Sequence, residues 1–203
     1  MHYYYKLYKP AGYLSQFINN QTKRKNKLLL ADLINLPKDA MAVGRLDENS
    51  EGLLLITNDG MWSDTVNRRA KVPKEYFAQV EGIPNPEKIQ LLREGVELTF
   101  NKKKYTTKAC EVEIISETPN FPDSQKKIRD DRHGPTSWLK IRLTEGKFRQ
   151  VRKMTAHIGH PCLRLVRTKI GNQSLASMQP GDLIKIDAES VFVSTDKESS
   201  SIK

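Results

Sequence analysis

Two apolar segments, Met41-Ala42-Val43 and Leu53-Leu54-Leu55-Ile56, stand on either side of a polar turn bounded by Gly44 and Gly52. Each run is too short for a stable helix and is closed by turn residues, so each reads as a buried strand. A turn between two buried strands limits what it can hold. Asp47 lies inside it, two residues after Arg45. A carboxylate there has to find a cation, a backbone donor or water, because burial without a partner is costly. Two readings stay open: an Asx-type turn residue bonding its own backbone, or a charged group presented for nucleophilic chemistry. A calcium loop does not fit. Asp47, Asn49, Glu51 and Gly52 take the early positions of such a loop, but the twelfth is Asn58 where a bidentate Glu is needed, and the flanks are strands.

The rest of the chain has the same grain. Tyr3 to Tyr8 reads as a strand, ended by the turn Lys9-Pro10-Ala11-Gly12. Asn19 to Lys27 is a polar, basic loop, and Leu28 to Leu36 a short apolar, helical piece stopped before Pro37. Asn58 or Asp59 caps a short helix through Met61 to Arg69. Glu75 to Val80 is a strand, followed by a helix started by Asn85-Pro86-Glu87, with Ile89, Leu92 and Val96 on its apolar side. Lys108 to Ile114 and Leu139 to Leu143 alternate like half-buried strands. Between them Glu117 to Ser137, with three prolines, reads as a long loop. Phe148, Val151, Met154 and Ile158 have helical spacing and predict a core stripe ending near Gly159. Leu163 to Val166 and Leu183 to Ile186 are further strands. Short strands with a few helices, without strict alternation, give an α+β class.

Charge narrows the partners. The net charge is +10, and from Lys140 to Lys169 nine basic residues face a single acid, Glu145. Such a segment is either a solvated basic face or a surface for a polyanion, most often nucleic acid. No apolar run is long enough to span a bilayer. Cys110 and Cys162 are far apart in sequence, which argues against a disulfide framework and for a reducing cytoplasm. His157, His160 and Cys162 fit no structural zinc spacing. Phosphate-binding loops, dinucleotide fingerprints and nucleophile elbows are missing from the sequence.

Read together, these pieces resemble the RsuA-type pseudouridine synthases. Gly44-Arg45-Leu46-Asp47 with Ser50-Glu51-Gly52-Leu53-Leu54-Leu55 and Thr57-Asn58-Asp59-Gly60 is similar to their catalytic motif. Lys9-Pro10-Ala11-Gly12 resembles their first motif, and Lys74-Glu75-Tyr76 with Val80 and Gly82 their tyrosine motif. Glu145 to Met154, followed by Ile158-Gly159-His160-Pro161, resembles the third. The stretches Tyr13 to Phe17, Ile128-Arg129, Pro135 to Ile141 and Met154 to Gly159 are similar to the members that modify large-subunit RNA.

The resemblance implies an α+β pseudouridine-synthase fold, with two subdomains around a mixed, mainly antiparallel sheet and a central cleft. It implies isomerisation of a uridine in 23S ribosomal RNA, flipped into the cleft, with no cofactor and no metal. Asp47 would be the nucleophile, Tyr76 would stack on the base and move a proton, and Arg152 would pair with Asp47. Arg45, Lys147, Arg149, Gln150, Lys153, Arg164 and Arg167 would contact the RNA. The catalytic domain is expected over residues 1–195, without a preceding S4 RNA-binding domain, with 196–203 as a polar tail. The expected state is a cytoplasmic monomer. A non-catalytic ribosomal-RNA-binding factor and a synthase for 16S RNA remain as rival expectations.

Overall fold

The computed structural model describes residues 1–18, 26–128 and 133–192. The chain runs β1 (Tyr4–Lys9), β2 (Tyr13–Leu14), β3 (Leu28–Leu29), β4 (Met41–Val43), β5 (Glu51–Thr57), α1 (Gly60–Asp64), β6 (Lys74–Glu81), α2 (Pro86–Glu94), β7 (Glu97–Phe100), β8 (Lys103–Thr106), β9 (Glu111–Ile115), β10 (Thr136–Leu143), α3 (Gln150–His157), β11 (Cys162–Ile170), β12 (Gln173–Ser174) and β13 (Leu183–Lys185). Among the described residues, nine strands form one mixed sheet in the order β13-β1-β5-β11-β6-β10-β9, with β4 also on β5 and β12 on β11. Every pairing in it is antiparallel except β5 with β11. That parallel pair is short, Val166 opposite Glu51 and Arg167 opposite Gly52. It is a seam between two antiparallel halves.

The core has three clusters, one of which crosses the seam through Val166 and Ile170 of β11. In the first half, Leu7, Leu54 and Ile56 pack with Leu30 on one side of the sheet, while Tyr8, Leu53 and Leu55 pack with Trp62 and Val66 on the other. Asp59 caps α1, its side chain accepting from the Trp62 N–H. In the second half, α2 and α3 lay Ile89, Leu92, Val151 and Met154 onto Ala78, Val80, Leu139 and Ile141. Asn85 caps α2 by accepting from the Lys88 N–H, with Pro86 at the first helical position.

Gly52 makes the seam possible. Its φ is +107°, and a Cβ there would lie 2.3 Å from the Arg167 carbonyl oxygen and 2.7 Å from the Arg167 nitrogen. These are backbone atoms that cannot swing aside, so the approach of β5 to β11 requires glycine.

Two expectations need correction, and one element was not foreseen. Leu28 to Leu36 is a two-residue strand and one 3-10 turn, Leu30–Asp32, not a helix, because Leu28-Leu29 pairs with Tyr13-Leu14. Phe148 is not in the core stripe. The helix begins only at Gln150, Arg149 before it is left-handed at φ 53°, and the Phe148 side chain is 70% exposed. The β7–β8 hairpin has no counterpart in the sequence reading, because its turn residues Asn101 and Lys102 reach positive φ without a glycine to mark them. Most of the basic loop at 19–27, Arg129 and the tail at 196–203 lie outside the described residues. No helix among the described residues is long and apolar enough to cross a membrane.

Gly52→Ala is expected to lower stability by about 3 kcal/mol or more, through the clash at Arg167 and the strained φ together. Thermal unfolding checks this, with a midpoint depressed by roughly 6–12 °C.

Candidate active site

Asp47 stands in the turn that carries the chain into β5, on the edge of the seam. The turn is braced from behind by the end of β1 and the residues after it. Lys9, with none of its surface exposed, donates from Nζ to the carbonyls of Pro10 at 2.8 Å, Ser50 at 2.8 Å and Glu48 at 3.4 Å. The Gly12 N–H donates to the Glu48 carbonyl. Ser15 grips Leu46 at both ends, its hydroxyl donating to the carbonyl and accepting from the N–H. A turn that aims its carbonyls inward needs buried donors, and Lys9-Pro10-Ala11-Gly12 supplies them.

The other half of the molecule brings the cations. Arg152 sits in the first turn of α3 with its side chain 8% exposed. It donates to the carbonyls of Asn49 (2.9 Å) and Cys162 (3.1 Å) and to the Ser50 hydroxyl (3.2 Å). Its remaining donor, Nε, lies 3.6 Å from Asp47 Oδ2, too far for a hydrogen bond but within ion-pair range. Arg149 reaches the same oxygen, Nη1 to Oδ2 at 3.3 Å, with its side chain 42% exposed. Both cations meet Oδ2. Among the described residues, Oδ1 takes no hydrogen bond. The carboxylate therefore faces two guanidiniums rather than its own backbone, and the Asx-turn reading is set aside.

Tyr76, on β6, packs against the core of the second half and borders the same cleft as Arg45, Asp47, Ser50, Lys147, Arg149 and Leu165. Arg45 is exposed at the rim. Lys147 is also exposed, its ammonium 4.5 Å from the centre of the Tyr105 ring. Lys153 donates to the Thr99 carbonyl at 2.7 Å.

Three residues expected to touch RNA are turned inward. Gln150 is buried and joins the Lys147 N–H to the Glu145 carboxylate. Arg167 is buried beside the seam, donates from Nε to the Leu53 carbonyl at 2.7 Å, and lies over the Tyr76 ring. Arg164 grips Glu51 through two 3.0 Å bonds and donates to the Pro122 carbonyl. These bonds hold the loop around Phe121 against the sheet, and Arg164 is spent on structure. The residues that sequence reasoning missed are the braces: Lys9 as a buried donor, Ser15, Ser50, and Arg149 as a partner of Asp47. Lys9, Ser15 and Ser50 lie in stretches that carry the family resemblance, and Arg149 is spaced three from Arg152, but none of these patterns shows which group each residue bonds.

With this geometry in view, the comparisons decide the family. A family model described as RNA pseudouridylate synthase matches residues 3–157. The chain belongs to the RNA pseudouridylate synthase family. It is 42% identical over 183 residues to the ribosomal large subunit pseudouridine synthase E of Vibrio vulnificus, covering 90% of this chain and 74% of that one. The protein of the same name from Xanthomonas campestris pv. campestris is also 42% identical, with 91% of this chain and 96% of that one covered. The ribosomal large subunit pseudouridine synthase B of Bacillus subtilis is 31% identical, covering 88% and 66%. A crystal structure of a pseudouridylate synthase superposes with a TM-score of 0.74 at 22% identity, over 94% of this chain and 73% of that one, which shows the shared fold. Synthases of this family are isomerases, and the α+β class, the mixed sheet and the cleft agree with that membership.

Electrostatics around the synthase's cleft follow from burial. Burial pushes the Lys9 ammonium down to about 7, against the opposing pull of Glu51. Burial also raises the Glu145 carboxyl, but hydrogen bonds from Tyr105, the Lys108 N–H and Gln150 together outweigh it and hold the group below its usual range. Burial lifts both thiols, Cys110 and Cys162, to about 11. Neither cysteine is a thiolate nucleophile near neutral pH. His160 bridges the Glu81 carbonyl and Lys88 Nζ, and His157 is exposed.

A lysine whose pKa is lowered on folding binds its proton less tightly in the native state than in the unfolded chain. Its penalty is complete below about pH 7 and fades as pH rises towards the ordinary value of 10.5. The stability of the wild type relative to Lys9→Met should therefore climb between pH 7 and 10, with a slope approaching ~1.4 kcal/mol per pH unit at most. Urea unfolding of both proteins across that range measures it, and parallel curves would contradict the burial of a titrating Lys9.

Proposed function

We propose that the synthase converts one uridine of large-subunit (23S) ribosomal RNA into pseudouridine, with Asp47 as its nucleophile. The observation that carries this reading is Asp47 itself: Oδ2 is held by guanidiniums from the opposite half, and Oδ1 takes no hydrogen bond, in a cleft bordered by Tyr76. The choice of RNA rests on the relatives, three of which are named as large-subunit synthases. In the reaction the C1′–N1 bond breaks, a C1′–C5 bond forms, the hydrogen on C5 leaves and N1 takes up a proton. Atoms and electrons balance without a redox partner.

Each role follows from position. Asp47 waits for the sugar or the base. Arg152, buried and fixed by three hydrogen bonds, keeps it oriented. Tyr76 supplies a ring for the flipped base and a hydroxyl for proton transfer. The uridine has to leave its stack to reach this cleft, at a cost of a few kcal/mol that aromatic stacking partly returns. Arg45, Lys147, Arg149 and Lys153 form the basic rim and take the phosphates. Arg149 is half exposed, so an arriving phosphate can replace Asp47 as its partner and uncover the acid.

Release of tritium from rRNA labelled at uridine C5 reads the reaction directly. Asp47→Asn should cut release by at least about a thousandfold while leaving RNA affinity nearly intact. A protein that binds rRNA with no release to lose would be an assembly factor instead. Mapping pseudouridines in a strain lacking the protein should reveal one missing from 23S RNA, whereas a loss from 16S RNA would move the substrate to the small subunit. Arg152→Lys should lower turnover roughly ten- to a hundredfold with little change in affinity, because one ammonium cannot replace the guanidinium's fan of donors.

Four rim cations predict a definite salt response. Between 50 and 200 mM salt, affinity should fall by about a hundredfold. A loss near a thousandfold would return Arg164 and Arg167 to the RNA-binding set.

A further inference from the structure

Phe148 is a large aromatic side chain, 70% exposed, in a motif whose other apolar members, Val151, Met154 and Ile158, are buried. It lies between Lys147 and Arg149, both of which border the Asp47 cleft. The turn that displays it is held firmly. Arg149 takes a left-handed φ of 53°, which throws Phe148 off the helical face. Gln150 ties the Lys147 N–H to Glu145, and Glu145 accepts in turn from Tyr105 and the Lys108 N–H. A turn with this many tethers shows its ring to water by construction and not by fraying.

The surroundings of the ring are cationic and aromatic. Lys153 lies 6.0 Å from the Phe148 ring and 4.3 Å from the Phe100 ring, while Lys147 lies over Tyr105. Phe100 and Tyr105, diagonal neighbours in ring contact across the β7–β8 hairpin, back these two lysines. Exposed aromatic rings among lysines suit single-stranded nucleic acid: bases stack on the ring and phosphates meet the ammonium groups.

We propose that Phe148 is a second stacking surface of the synthase: it takes the base of a nucleotide flanking the flipped uridine, while Lys147 and Lys153 hold the neighbouring phosphates. The inference rests on the reading of the Asp47 cleft as the uridine site. Phe148 touches no reacting atom, so it is a positioning residue, and its effect belongs in affinity and KM rather than in kcat.

The test measures a large-subunit rRNA transcript by filter binding and by tritium release. Phe148→Ala should weaken binding and raise KM roughly ten- to a hundredfold, leaving kcat at saturating RNA and the thermal midpoint close to wild type. Phe148→Trp should restore both, and Phe148→Leu should not. Met61→Ala, which trims another exposed apolar side chain, should change neither. Unchanged affinity in Phe148→Ala, full rescue by Leu, or a loss confined to kcat would each overturn the proposal. Binding is read without turnover, so failure here is distinct from a wild type that releases no tritium, which would instead sink the assignment of the cleft.

Discussion

One buried guanidinium holds the site together. Arg152 belongs to α3 in the second half of the molecule, yet its bonds reach Asn49 and Ser50 in the turn of the first and Cys162 at the start of β11. It crosses the seam where β5 and β11 meet, and it holds the turn that displays Asp47. The pairing with Asp47 at 3.6 Å is the loosest of its contacts. Its hydrogen bonds set the geometry, and the carboxylate takes the field that remains. Losing such a group would leave buried carbonyls without donors as well as an acid without a counter-ion.

The seam itself depends on a missing side chain. Gly52 lets the Arg167 backbone approach to a distance no Cβ would allow. Arg167 in turn carries its charge beneath the cleft, over Tyr76 and against the Leu53 carbonyl. Arg164 and Glu51, two residues that sequence alone would send to solvent, close the other side of the seam as a buried pair with 3.0 Å bonds. Three of the nine cations in the segment that suggests a nucleic-acid surface, Arg152, Arg164 and Arg167, are thus internal, and the outer rim consists of fewer cations than the sequence count suggests.

The sequence revealed the parts of this architecture that rest on local pattern. The strands flanking Asp47, the Asn85-Pro86 helix start, a cap at Asn58 or Asp59 and the Val151–Met154–Ile158 stripe all follow from periodicity and capping chemistry, and the structure has them, with Asp59 as the cap. What it hid was decided at long range. Nothing local distinguishes a buried Lys9 from an exposed one, or an Arg164 held by Glu51 from one free to meet phosphate. Phe148 was misplaced because helical spacing cannot see that Arg149 starts the turn left-handed. The β7–β8 hairpin was missed because Asn101 and Lys102 do without glycine.

The distances along the chain have a consequence for how the molecule comes to life. Arg152 meets its partners in the turn across separations of 102 and 103 residues, and the Arg164–Glu51 and Arg167–Leu53 contacts span 113 and 114. Hairpins such as β7–β8, by contrast, close over a few residues. Contacts that enclose such long stretches of chain carry a larger loop-closure cost than a hairpin does. The cleft therefore exists only where distant segments are joined, and α3 without the turn after β4 would leave the Arg152 guanidinium without its Asn49 and Ser50 acceptors.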